Sequence, residues 1–187
     1  YADIDSLTVI DSIVELPVKF ESAKARTILS GPVDKLKISG EVEIKNAEGY
    51  SVKFDRANSN YLVTVDNDSI NIWVNSTATK VESGPAILDT VRVEMNYLDP
   101  EVDLIVNAIW KDTVDAKFSS KIRIGDTLSF VVPYFEAKTF LSNYYLDDTL
   151  KVTLAEKDKF EIQNLKLKDH ERSAFILSLD GVISTTD

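Results

Sequence analysis

The chain has 187 residues, is 44% hydrophobic and 28% charged, and carries a net charge of -10 from 31 acidic and 21 basic side chains. That is enough apolar content for one sizeable core or two small ones, and the negative balance repels phosphate backbones and anionic lipid surfaces, which argues against nucleic acid as a partner. With no cysteine there is no disulfide, thiolate nucleophile or Cys-based metal site, and no apolar run approaches the roughly 20 residues of a spanning helix, so no membrane insertion is expected within the chain.

The opening "DIDSLTVIDSIVELPVKF" places Leu7, Ile10, Ile13 and Val14 on one helical face, ended by Pro17. In "DKLKISGEVEI", residues 34–44, Leu36, Ile38, Val42 and Ile44 share one parity while Lys37, Ser39, Glu41 and Glu43 share the other. This is the alternation of a strand with one dry and one wet face. Similar segments follow: "YSVKF", "NYLVTV", "SINIWV", "TVRVEMNY", "VDLIVNAIW", "KIRI", "TLSFVV", "LKVTL", "FEIQNLKL" and "AFILSL". Turn residues separate them at "NAEG", "RANSN", "DND", "SGP", "LDP" and "GD". After Pro133, "YFEAKTFLSNYYL" sets Phe135, Phe140, Leu141 and Tyr144 near a helical stripe, which allows a short helix. In "FEIQNLKL" the apolar parity slips from Phe160 and Ile162 to Leu165 and Leu167, the mark of a β-bulge or a turn. The expectation is an all-β fold, a β-sandwich or a β-solenoid of β-helix type, with about a dozen short strands and at most one or two short helices. Residues 1–187 read as a single domain without a fixed-period repeat, and 81–89 is the candidate boundary between two subdomains.

The run from Val33 to Asn75 resembles the opening of the head GIN domain family of auto-transporter adhesins from Bacteroidetes. Asp34, Lys35, Leu36, Ile38, Ser39 and Gly40 match its first strand, Tyr50, Ser51 and Val52 its second, and Leu62 to Ile72 its third. The chain departs from the family after residue 90, where no "S-G-A-S"-like turns recur and only 6 glycines serve the whole sequence. The resemblance implies an exported, β-rich protein of the cell envelope, periplasmic or at the outer-membrane surface, lipid-anchored upstream of residue 1. It also implies an adhesive role, with a glycan or a surface protein as partner.

Little here points to catalysis. His170 is the one histidine and sits in the charged turn "LKDHERS". The acidic pairs Asp3 and Asp5, Asp66 and Asp68, Asp99 and Asp103, and Asp147 and Asp148 lie near predicted strand ends, where turn chemistry favours aspartate. "DND" and "LDDT" lack the spacing of a calcium loop, leaving only a weak shared-loop calcium site open. No cofactor and no metal are expected. Trp110 shares the parity of Val102, Leu104 and Val106 and reads as core, whereas Trp73 shares the parity of Asn71 and Asn75. Trp73 is then either covered by a second layer or exposed as a stacking platform. Of the adjacent Tyr144 and Tyr145, one faces the core and the other is free to join a surface patch. Trp73, Tyr144 and Tyr145 are therefore the candidate ligand contacts of a non-catalytic surface module. The alternatives are a β-sandwich lipoprotein component without ligand and a carbohydrate-active enzyme using an acidic pair.

Overall fold

A computed structural model describes residues 2–4, 18–67, 69–111, 113–125, 127–156, 159–171 and 174–184. Its strands are β1 (Ala2–Ile4), β2 (Val18–Ser30), β3 (Lys37–Gly49), β4 (Val52–Asp66), β5 (Ser69–Ser83), β6 (Ala86–Leu98), β7 (Glu101–Trp110), β8 (Val114–Arg123), β9 (Ser129–Thr139), β10 (Asn143–Leu146), β11 (Leu150–Glu156), β12 (Lys159–Asp169) and β13 (Ala174–Ser184). A single 3-10 turn, Val33–Lys35, is the one helical element among the described residues. The opening helical stripe lies outside them.

All thirteen strands join one antiparallel sheet. Each hairpin pairs with the next from β1 to β9. The short β10 and β11 then act as one interrupted strand, since both pair with β9 on one side and β12 on the other, and β13 pairs with β12. The all-β expectation of about a dozen strands holds, but the strands form a single layer, neither the two sheets of a sandwich nor the coil of a solenoid. Every substantial contact between elements joins hydrogen-bonded neighbours. Among the described residues no large side chain is fully buried, and only Ala23, Ala47 and Val132 form a buried apolar core. The segment after Pro133 is strand, not helix, because Phe135, Ala137 and Thr139 alternate at period two against β8. Residues 81–89 form the β5–β6 hairpin, inside the continuous sheet.

The long strands explain why the sequence reads as shorter pieces. Half-buried or buried positions alternate at period two and then jump by three: Phe20 to Ala23, Ile44 to Ala47, Phe54 to Ala57, Ala78 to Val81, Leu88 to Val91. These jumps fall side by side in the register, so a crease crosses β2 to β6. Asn46 and Lys80 sit on it at φ 48° and 49°, in the left-handed region that reverses the side-chain alternation. Each is answered by an acid one strand back: the Asn46 amide donates to Glu21, and the Lys80 ammonium lies 2.7 Å from Asp55. Where β7 ends, Lys111 at φ 49° donates its backbone N–H to Asp89. Glu21, Asp55 and Asp89 are spaced by 34 residues, and "VKFE" at 18–21 returns as "VKFD" at 52–55. Successive register partners Ala25, Val42, Ser59, Ser76 and Val93 are each 17 residues apart. The first half is thus a repeat of 34-residue hairpins, a period that the divergent side chains conceal. The slip at Gln163 and Asn164 is a bulge of the same kind: Asn164 at φ 60° donates its N–H to Asp180, 2.5 Å away.

The alternation makes the sheet amphipathic. One face carries ion pairs between neighbouring strands, among them Arg26–Glu41, Lys121–Asp103 and Arg123–Glu101. The other is aliphatic, with rows of register partners running across the strands. One row reads Ala23, Ile44, Ala57, Ala78, Val91, Ala108, Ala116 and Ala137 from β2 to β9. Hydroxyls on this face satisfy one another, with Thr27 and Tyr61 sharing a 2.5 Å hydrogen bond and Ser59 and Ser76 one of 2.6 Å. Gly40 lets the Tyr61 ring pass: a Cβ there would meet the Arg26 carbonyl at 2.1 Å and the Tyr61 hydroxyl at 2.7 Å.

Candidate functional site

The polar face carries a recess of about 400 Å3 lined by Tyr134, Glu136, Asn143, Tyr145 and His170, within the usual size range of small-molecule sites. Three strands build it. On β9, Tyr134 and Glu136 are two residues apart and so project from one face. Tyr145 of β10 is the register partner of Glu136. His170 follows β12, held by its backbone N–H to the Asn143 carbonyl at 2.8 Å, and its ring meets Tyr145 edge-on at 5.9 Å between centroids. The Tyr134 hydroxyl donates to Glu136 at 2.5 Å. That bond holds the Glu136 carboxyl below its ordinary value of 4.5 and the Tyr134 phenol above its ordinary 10.0. The recess therefore offers two aromatic rings, one ionised carboxylate, an amide and an imidazole around an open space.

Of the residues singled out in the sequence, the structure brings only Tyr145 into this recess. Tyr144 points to the opposite face, where it pairs in register with Ala137 and Asp169, so the adjacent tyrosines do divide between the faces. Trp73 stands on the polar face of β5, half-buried, with its indole N–H 3.4 Å from Glu94. No second layer covers it among the described residues. Trp110 is not core: it ends β7, is 42% exposed, and has the Lys111 ammonium 5.6 Å from its ring. Its parity is that of the aliphatic face, but that face has no covering layer. Tyr134, Glu136, Asn143 and His170 escape a reading of the sequence because their convergence depends on the β9–β10–β12 register. The one local signal is Tyr134 and Glu136 sharing parity just after Pro133.

The acidic pairs with described side chains serve turns and ladders. Asp147 pairs with Lys168 at 2.6 Å, Asp148 accepts the Thr149 N–H, Asp99 accepts the Tyr97 hydroxyl, and Asp103 faces Lys121. The recess holds one carboxylate, where glycoside hydrolysis uses two across a cleft. Among the described residues no cluster of three His, Asp or Glu is arranged to hold a metal ion, and no helix is long and apolar enough to cross a membrane. Comparison with protein-family models, with curated proteins and with solved structures yields no match.

Proposed function

We propose that the chain is a non-catalytic binding module of the cell envelope whose polar face takes a glycan in the Tyr134–Tyr145 recess. The observation that carries this reading is the pairing of aromatic faces with hydrogen-bonding groups in one open recess. Tyrosine rings supply flat, amphipathic contact area at low entropic cost. Glu136 and Asn143 accept and donate to hydroxyls, and a neutral or hydroxyl-rich ligand suits a surface that carries net negative charge. The envelope location and adhesive role follow the resemblance of residues 33–75 and stand or fall with it.

Binding to an array of glycans, repeated with Tyr145→Ala and Glu136→Gln, tests the reading. Both variants should lose at least tenfold in affinity for whichever glycan is retained, while Tyr144→Ala, on the opposite face, should bind as the parent does. Retention unchanged by Tyr145→Ala would place the ligand elsewhere, and release of reducing sugar by the parent would make the protein an enzyme.

A further inference from the structure

On the polar face, β6, β7 and β8 set three rows of register partners side by side. Arg92, Asn107 and Lys117 form one outer row, and Asn96, Asp103 and Lys121 form the other. Between them run Glu94, Ile105 and Ser119, and the register partner of Ser119 on β9 is Tyr134 of the recess. The outer rows are polar throughout, and Lys121 and Asp103 are tied by an ion pair of 3.4 Å. The inner row is uncharged at Ile105 and Ser119, and beside the three long basic side chains it is low. It forms a lane with polar walls that leads out of the recess. Tyr134 and Ile105, each 45% exposed, present open surface at its start and middle. At its far end Glu94 accepts from the Trp73 indole nitrogen at 3.4 Å. The lane thus joins the recess to a second aromatic ring, across the four strand intervals from β9 to β5, about 19 Å at 4.8 Å per strand.

Taking the recess as a glycan site, on which this rests, we propose that the lane and Trp73 form a second subsite. The ligand is a linear, uncharged oligosaccharide that crosses the strands from the Tyr134–Tyr145 recess to Trp73. The walls select the chemistry. Arg92, Lys117 and Lys121 are matched along the lane by Glu94, Asp103 and Glu136, so neither a polyanion nor a polycation gains by lying in it. Asn107 on one wall and Asn96 on the other each supply a donor and an acceptor, which suits hydroxyls that act as both. An indole offers flat apolar area to the C–H face of a sugar ring. The distance selects the size: a disaccharide seated in the recess stops short of Trp73, and only a longer chain touches both.

The test is calorimetric titration with the disaccharide and the hexasaccharide of the cello, malto, xylo, manno and N-acetylchito series. In the series that binds, the hexamer should bind at least tenfold tighter than the dimer. Trp73→Ala should reduce hexamer affinity to about that of the dimer and leave the dimer unchanged, whereas Tyr145→Ala should weaken both at least tenfold. Trp73 is half-buried, so a second variant leaves it in place: Ile105→Lys, at an exposed position, raises and charges the lane floor and should likewise remove the hexamer's advantage. Trp110→Ala, at the end of β7, should change neither affinity. Equal binding of dimer and hexamer by the parent, or a hexamer advantage that survives either substitution, overturns the lane, and the recess stands if Tyr145→Ala still weakens both. Binding that Tyr145→Ala leaves unchanged, or no binding in any series, overturns the recess and the lane together.

Discussion

Gly40 shows how a single side-chain atom governs the first sheet. Because a Cβ there would collide with backbone at 2.1 Å as well as with the Tyr61 hydroxyl, Gly40→Ala should cost about 1 to 3 kcal/mol in urea unfolding. Gly125→Ala, whose Cβ would meet nothing nearer than 4.0 Å, should stay within about 0.5 kcal/mol. Equal effects would mean that Tyr61 does not lie over Gly40. At the recess, the Tyr134 hydrogen bond holds Glu136 below its ordinary 4.5. The ionised form is thus favoured by folding: the contribution is present above the unfolded value and lost as pH falls through the lower folded one. Carboxyl NMR should find Glu136 titrating below 4.5 and moving upward in Tyr134→Phe, while the Tyr134 phenol titrates above its ordinary 10.0. Trp110, at 42% exposure, should be readily quenched by acrylamide, and Trp110→Ala should cost about 1 kcal/mol or less, not the 3 to 5 kcal/mol of a buried aromatic.

Strands of 13 to 15 residues crossing a crease are the elements from which the sheet is made. The left-handed backbone at Lys80 gives a directional expectation. Lys80→Gly should leave thermal stability unchanged or raise it, and Lys80→Val, whose β-branch suits that conformation worst, should lower it by about 1 to 2 kcal/mol. A stabilising valine would contradict the crease. The period-two alternation of Ile38, Val42 and Ile44 made the strands legible from sequence alone, and the parity slip at Gln163 and Asn164 was legible as a bulge. The same slip between Phe54 and Ala57 was not, because Arg56, Asn58, Ser59 and Asn60 have turn-like composition while lying mid-strand in β4. What distinguishes the two is register: every neighbouring strand slips at the same place, and one strand's residues do not carry that information. The site was less legible for a similar reason. Tyr145 could be picked out as a surface aromatic, but its partners arrive from β9 and from the end of β12 through pairings that no local pattern specifies.

At the scale of the whole molecule, a 13-stranded single layer with one charged and one aliphatic face is a surface before it is a core. Antiparallel sheets commonly place such an aliphatic face on a second layer. Here the described residues supply none, and the single-layer fold leaves that face uncovered by any other strand. The absence of cysteine permits a clean measurement: single cysteines introduced as Ala78→Cys and Thr77→Cys, neighbours on opposite faces of β5, labelled with a polarity-sensitive dye. In the folded protein both cysteines should label rapidly and both dyes should emit as in water. A dye at 78 that labels slowly and emits in the blue would show that protein covers the face, and would contradict the single-layer fold.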